Sequence, residues 1–508
     1  MELLNNLWFG LQVAAEPINL LYCFLGVFLG TVVGVLPGIG ALAAISLLLP
    51  LSYHIPPTAA IIMLAGVYYG AQYGGSTASI LLNLPGTPSS AVTCIDGYPM
   101  ARNGKAGVAL FVTTIASLAG AMSGLVLLTL FSPVIAEVGL KFGPAEFCSM
   151  MLLGLVAASS VSSGSAVKGL AMMVFGLLLG MVGTDINSGV ARFAFDVPEL
   201  TDGINLVALA MGLFGIAEVV RCIKSADANR KIEKISLRSM APSREEFRAT
   251  VKPMARGSAL GSALGALPGV GPSIAAFMAY AIEKKVARDP SRFGKGAIEG
   301  ITAPESANNA AAQTAFVPSL SLGIPGDAVM AVMLGALIIH GIQPGPMLIS
   351  EQPALFWGLV VSFAIGNIML VILNLPTIGL WVALLRIPFA WMYPAILVFV
   401  ALGVYSVNNN GFDIYLVTAL GVMGYLLMVL RFEPAPLLLG YILGPLMEEY
   451  LRCAMLITRG DPMVFIERPI SATLLAMTAA LLLWALWSTL RGNLRARRQL
   501  AALQAAAD

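Results

Sequence analysis

The sequence predicts an all-α polytopic membrane protein made of two homologous halves. Three observations carry this: apolar composition spread along the whole chain, long charge-free runs, and helix-breaking motifs that recur in order. The chain has 508 residues, 58% hydrophobic and 11% charged, where a soluble domain has ~45–50% and ~25%. Residues 17–95, 106–136, 147–167, 257–282, 306–326, 352–385, 387–412 and 469–490 hold no Asp, Glu, Lys or Arg. A helix needs ~20 apolar residues to cross the hydrocarbon, so roughly 10–14 membrane elements fit. Strand-type alternation is absent, which argues against an outer-membrane barrel.

The first residues, "MELLNNLWFGLQVAAEP", place no basic residue before the first apolar run. A cleaved secretion signal has one, so no cleavage is expected. Cys23, Cys94, Cys148, Cys222 and Cys453 are scattered, without CxxC, which argues against a disulfide frame or a zinc site. Gly104-Lys105 and Gly294-Lys295 lack the rest of a phosphate-binding loop, so ATP hydrolysis is not expected. The only histidines are His54 and His340, with no HExxH. Nothing points to an enzyme, and no cofactor is expected.

Residues 221–256 carry ten Lys/Arg and four Asp/Glu. The positive-inside rule makes this a basic cytoplasmic linker. It divides the chain into a first membrane repeat, 1–220, and a second, 257–468. A final transmembrane helix, 469–490, leads to a tail, 491–508, whose Arg491, Arg495, Arg497 and Arg498 predict a cytoplasmic C-terminus.

The halves match. Gly26, Gly30, Gly34, Leu36, Pro37, Gly38 and Gly40 correspond to Gly257, Gly261, Gly265, Leu267, Pro268, Gly269 and Gly271 at a constant offset of 231. "LLNLPGTPSS", with Pro85-Gly86, pairs with "SLGIPGDAVM", with Pro325-Gly326. "LKFGPAEF" from Leu140 pairs more weakly with "LRIPFAWMYP" from Leu385. Broken helices at membrane depth survive only where protein or a wet cavity covers them. Paired breaks in two repeats mark the binding site of a secondary transporter. Arg256 and Glu283-Lys284-Lys285 flank the second motif, so 257–282 is expected to be a re-entrant hairpin with its tip at Pro268–Gly271. By the repeat, 18–53 is another, entering from the opposite face if the repeats are inverted. The Gly-xxx-Gly-xxx-Gly spacing also suits helix packing alone.

Two polar clusters lie between the breaks. "YYGAQYGGSTASILLNLPGTPSSA", residues 68–91, offers Gln72, Gly74, Gly75, Ser76, Thr77, Ser79, Asn83, Gly86, Thr87, Ser89 and Ser90 without a charge. Its glycines and Pro85 and Pro88 predict non-helical backbone. Exposed N–H groups and hydroxyls bind carboxylates, and carbonyls with Ser, Thr and Asn oxygens equally suit a hard cation. "APESANNAAAQTAF" and "SLGIPGDA" add Glu305, Ser306, Asn308, Asn309, Gln313, Thr314, Gly326 and Asp327. Ionisable groups at membrane depth are functional candidates because burying them is costly. The bland alternatives are satisfied helix contacts and a Glu305 at the water interface. Asp185, Asn187, Arg192, Asp196, Glu199 and Asp202 read as a surface loop, and Glu448-Glu449 as interfacial.

"GVLPGIGALAAISLLLPLSY", "YGGSTASILLNLPGTPSSAVTCIDGYPMARNGKAG", "ALPGVGPSIAAFMAYAIEKK" and "APESANNAAAQTAFVPSLSLGIPGDAVMAVMLGAL" resemble the large membrane subunit of tripartite tricarboxylate transporters, the TctA family. The resemblance is colinear over nearly the whole chain. It implies a bacterial inner-membrane secondary transporter, a small four-helix membrane subunit, and a periplasmic solute-binding protein that delivers citrate or another carboxylate. It implies drive by a sodium or proton gradient. Physical inference then assigns substrate contacts to Gly74, Gly75, Ser76, Thr77, Asn83, Gly86, Thr87, Ser89, Ser306, Asn308 and Asn309. Cation coupling falls to Pro37, Gly38, Gly40, Pro268, Gly269, Gly271, Glu305, Gly326 and Asp327. A neutral lining suits a polyanion that carboxylates would repel. A channel or exporter of the same architecture and a purely structural scaffold are the competing readings.

Overall fold

A computed structural model describes residues 1–36, 40–139, 141–160, 166–185, 188–217, 219–220, 237–267, 270–385, 389–484 and 487. Among them the chain is helical apart from one short antiparallel strand pair, β1 (Gly183–Thr184) and β2 (Ala191–Arg192). Four helices are long and apolar enough to span a bilayer: Pro17–Val35, Pro88–Phe131, Pro353–Asn374 and Phe412–Val429. Shorter apolar helices accompany them. The chain is a multi-pass α-helical membrane protein.

Contacts divide it into two compact units, Met1–Leu140 with Asn205–Tyr425, and Lys141–Ile204 with Leu426–Asp508. In chain order the larger unit begins with α1 (Glu2–Ala14), α2 (Pro17–Val35), α3 (Gly40–Tyr53), α4 (Pro57–Leu82), α5 (Ala91–Met100) and α6 (Ala106–Gly139). The smaller unit contributes α7 (Pro144–Ser160) and α8 (Ala166–Gly180). The larger unit resumes with α9 (Leu206–Ala210), α10 (Arg244–Gly265), α11 (Gly271–Val286), α12 (Glu299–Thr314), α13 (Phe316–Leu322), α14 (Ala328–Ile339) and α15 (Pro353–Asn374). It ends with α16 (Ile378–Leu384), α17 (Phe389–Asn408) and most of α18 (Phe412–Val429). In the smaller unit α19 (Ala435–Ile457) follows.

The glycine repeats explain how the larger unit packs. A Cβ on Gly26, Gly30 or Gly34 would stand 2.2, 2.5 or 2.3 Å from the carbonyl oxygens of Met63, Val67 and Ala71. On Gly257, Gly261 or Gly265 it would stand 2.2, 2.2 or 2.5 Å from those of Ala303, Ala307 and Ala311. No side chain fits at such distances, so α2 lies backbone-to-backbone along α4, and α10 along α12, in the same register. In lipid, where no hydrophobic effect drives helices together, such close approach supplies the dispersion contact.

The remaining contacts cross between the two sets. α6 packs on α10 and α12, whereas α15 packs on α2 and α4. α3 touches α14, and α11 touches the 3₁₀ turn Pro88–Ser90. α4 and α12 are thereby enclosed; α12 is buried at every position from Gly300 to Thr314. Enclosure lets these two helices carry amides, hydroxyls and a carboxylate, because no polar group meets lipid.

The smaller unit uses the same device. Positions for a Cβ on Gly176 and Gly440 fall 1.9 Å from the Leu437 and 2.2 Å from the Met173 carbonyl oxygens, so α8 and α19 meet closely. Its polar end holds an ion network: Arg192 pairs with Asp185 and Glu448, each at 3.2 Å, and Arg452 with Asp185 at 3.1 Å and Glu448 at 2.5 Å. Arg192 is thus held in the loop by its neighbours.

Two expectations need correction. Gly74 and Gly75 do not break α4, which runs unbroken to Leu82. An interior glycine costs only about 1 kcal/mol, and Gly74 is needed where a Cβ would meet the Thr31 carbonyl oxygen at 2.4 Å. The second part of the basic linker is helical. Ser243 and Glu246 form a capping box that starts α10, so the basic stretch to Arg256 and the glycine motif Gly257–Gly265 are one helix.

Candidate functional site

Both breaks are built alike. α4 ends at Asn83, whose left-handed backbone (φ 56°, ψ 31°) reverses the chain. Pro85-Gly86 follows, and extended Thr87 (φ −133°) caps the Pro88–Ser90 turn in a capping box with Ser90. α13 ends at Gly323, also left-handed (φ 67°, ψ 16°). Pro325-Gly326 follows, and extended Asp327 (φ −156°) caps α14 by accepting the Met330 N–H at 2.8 Å. These positions correspond at an offset of 240, which also pairs Met63, Val67 and Ala71 with Ala303, Ala307 and Ala311.

The first break is lined by neutral groups. Gln72 Oε1 accepts from Ser89 Oγ at 2.7 Å and from Thr87 Oγ1 at 3.2 Å, and the two hydroxyls meet at 3.0 Å. Gly75 makes room: a Cβ there would stand 3.0 Å from Thr87 Oγ1. Gly86 is wedged on the Gly34 carbonyl. Ser76 and Thr77 are buried one turn beyond Gln72. Gln72, Gly75, Thr87 and Ser89 therefore do converge, and Ser76 stands beside them with its hydroxyl directed at the Glu305 carboxylate. Asn83 does not join them; it is exposed and terminates the helix. Ser306 also stands apart, donating to the Ala303 carbonyl at 3.0 Å where α6 and α10 approach α12 at Gly120 and Gly257.

Two carboxylates serve the second half, Glu305 buried and Asp327 half-buried. Tyr68 Oη donates to Asp327 Oδ2 at 2.5 Å. Left-handed Gly271 (φ 63°) brings the start of α11 to the same place, a Cβ there lying 3.1 Å from Asp327 Cβ. Glu305 Oε1 accepts from Thr93 Oγ1 at 2.5 Å, and Ser117 Oγ stands 3.4 Å from Oε2. Asn309 Nδ2 donates to Ser117 Oγ at 2.8 Å and to the Glu305 carbonyl at 3.1 Å. The Asn308 amide lies beside the Glu305 carboxylate without a bond of normal geometry. Asn309 Oδ1 and both amide atoms of Gln313 are buried without a protein partner. Gly40 is left-handed like Gly271 (φ 67°); Pro37, Gly38, Pro268 and Gly269 lie outside the described residues.

Sequence reasoning missed Tyr68, Thr93 and Ser117, which hold the two carboxylates, and Asp96. Asp96 Oδ1 accepts the N–H groups of Gly294, Gly296 and Ala297, each at 2.8 Å, and Oδ2 accepts from Tyr280 at 3.0 Å. It anchors the turn that leads into α12. Helical spacing from Gln72 gives a signal for Tyr68. Thr93 and Ser117 carry none, because their partner is 212 and 188 residues away.

The family profile of the "Tripartite tricarboxylate transporter TctA family" matches residues 20–439. A protein of Agrobacterium vitis described as "Uncharacterized 52.8 kDa protein in TAR-I ttuC' 3'region" is 52% identical over 493 residues, 97% of this chain and 98% of its own length. Another from the same organism, "Uncharacterized protein in TAR-II ttuC' 3'region", is 54% identical over 220 residues, 43% of this chain and 91% of its own. No solved structure matches the chain.

Proposed function

This chain belongs to the tripartite tricarboxylate transporter TctA family, a transporter family and not an enzyme family, and from that premise we propose that it is a cation-coupled importer of citrate or a related di- or tricarboxylate. It works in the bacterial inner membrane with a small membrane subunit and a periplasmic solute-binding protein. Sodium or protons drive it. The observation that carries this reading is the pair of equivalent breaks, one lined by neutral polar groups and the other holding the Asp327 carboxylate. Substrate carboxylates meet Gln72, Ser76, Thr87, Ser89 and the helix start at Pro88, where N–H groups favour an anion. Asn308 and Asn309 approach from the other half. The cation binds at Glu305 and Asp327. Because it offsets substrate charge, each ligand strengthens the other's binding by the same factor.

The two halves are inverted duplicates, each with a re-entrant helix pair (α2–α3 and α10–α11). The glycine register supports this, as does the run of the central helices. Tyr68 lies beside Phe316, late on the second half's path, with tilted rings whose centroids are 6.2 Å apart. Ile80 meets Ile301, at the start of α12, around Gly97. α4 and α12 thus run in opposite directions. Inverted repeats with broken helices are the architecture of alternating access.

The test is labelled citrate uptake into proteoliposomes holding this chain and its small subunit, with the binding protein outside and a sodium or proton gradient imposed. Accumulation that needs both the binding protein and a gradient is expected. Uptake of another carboxylate instead changes the substrate only. Failure of every carboxylate under either gradient, with assembly verified, removes the symporter reading.

A further inference from the structure

We propose that Glu305, Thr93, Ser117 and Asn309 form a sodium site that joins the two halves. The inference rests on the symporter reading and chooses between its two coupling ions. Glu305 and Asp327 differ in how they are satisfied. Asp327 is fully engaged: one oxygen caps α14 and the other accepts from Tyr68. Glu305 has one short bond, from Thr93, a long contact to Ser117, and the Ser76 hydroxyl and Asn308 amide beside it. No Lys, Arg or His pairs with it among the described residues. Around it stand groups with oxygen to offer an ion: the hydroxyls of Thr93, Ser76 and Ser117, and the Asn308 amide, whose buried atoms have no protein partner of normal geometry. All of these residues are buried, and buried polar atoms without partners are costly.

The donor set selects the ion. One carboxylate with neutral hydroxyl and amide oxygens balances a single positive charge. Calcium takes six to eight oxygens and several carboxylates, and magnesium demands its own waters. Transition metals call for imidazole or thiolate, and no group of three His, Cys, Asp or Glu gathers among the described residues. A monovalent hard cation remains. Asn309 occupies one lone pair of the Ser117 hydroxyl by donating to it, so the Ser117 proton faces the Glu305 carboxylate and the other lone pair is left for the ion. Thr93 exchanges its bond to Glu305 for the ion.

The location gives the site a role. Thr93 is on α5 and Ser117 on α6, both in the first half, whereas Glu305 and Asn309 are on α12 in the second. Bound sodium therefore ties α12 to α5. α5 follows directly on the neutral Thr87–Ser90 turn, so the ion fixes that turn relative to α12, and substrate meets a formed site.

The test uses the purified full chain in detergent and ²²Na⁺ as the probe, with monodispersity and circular dichroism verifying the fold of each variant. Saturable ²²Na⁺ binding, not displaced by equal potassium, is expected. Glu305→Gln should abolish it, and Thr93→Val and Ser117→Ala should weaken it at least tenfold. Thr113→Ala removes a hydroxyl one turn away on α6 that bonds only its own helix, and should leave binding unchanged. Undiminished binding in folded Glu305→Gln and Thr93→Val overturns the site. Absence of sodium binding, with uptake driven by a proton gradient, also overturns it yet leaves the symporter intact. Loss of uptake under every gradient removes the symporter instead.

Discussion

The breaks at Asn83–Thr87 and Gly323–Asp327 share a backbone course and differ most in the side chain of the capping residue. Each has a left-handed helix end, a Pro-Gly step and an extended capping residue. In the first, that residue is Thr87, bonded to Gln72 and Ser89. In the second it is Asp327, bonded across to Tyr68 of the first half. The lesson is that the scaffold is used twice while the chemistry is split. On the proposed reading, the neutral cap leaves N–H groups and hydroxyls for an anion, while the acidic cap adds negative charge on the side of the coupling ion. Two acidic caps would then repel a carboxylate.

The scaffold half of this comparison breaks most easily at the glycines. Gly30→Val and Gly261→Val each force a side chain into a facing backbone, in symmetric places. Each should cost about 3 kcal/mol or more, the upper end for overpacking. Thermal unfolding in detergent checks this. A large loss for one and none for the other would end the claim of equivalence.

Next in size is the acidic break. Tyr68→Phe removes the donor to half-buried Asp327 and should destabilise by about 1.5–3 kcal/mol, as for bonds to charged groups. The neighbouring Tyr69 instead makes a long polar contact to Cys23, at 3.9 Å. Tyr69→Phe should therefore change less. Equal effects in denaturant titration would contradict the special standing of Tyr68.

The neutral break separates ligand from scaffold. Thr87→Ala should lower carboxylate uptake roughly tenfold, the worth of about one hydrogen bond, with folded protein retained. Asn83 sits outside the cluster, so Asn83→Gly should keep wild-type uptake and stability. Asn83→Ala, forced to hold φ 56°, should lose about 1 kcal/mol. Loss of uptake in Asn83→Gly would return this residue to the site.

The smallest expected effect lies at the start of α10, outside the membrane. A bond from Lys105, with the Ser243 N–H, holds the Glu246 carboxyl below its ordinary range. Its contribution is present at neutral pH and fades as pH falls through that lowered value. The pair is solvent-accessible, so Lys105→Ala should cost at most about 0.5 kcal/mol, and less at high salt. A larger, salt-insensitive loss would mean that this contact does more than trim a helix end.

Much of this was legible beforehand because breakers and their spacing are local features. Gly26, Gly30 and Gly34 with Gly257, Gly261 and Gly265 gave the packing pairs, and Pro85-Gly86 with Pro325-Gly326 gave the breaks. Gly74 and Gly75 misled, since glycine at a close helix approach looks like glycine at a break until the facing backbone is known. Thr93, Ser117 and Tyr68 were illegible for the opposite reason. Their meaning comes from partners in the other half, and neither periodicity nor composition reports a contact between α5 or α6 and α12. Asp96 escaped likewise, its three N–H donors lying about 200 residues on.

The central claim, one scaffold used twice and inverted, is tested most directly by sidedness. Asn5 on α1 and Ser239, just before α10, are both exposed. Each would be replaced by cysteine in a background lacking the native cysteines, and labelled in intact cells with a membrane-impermeant maleimide. The account predicts that position 5 labels from outside and position 239 only after permeabilisation. Labelling of both from the same side would contradict it.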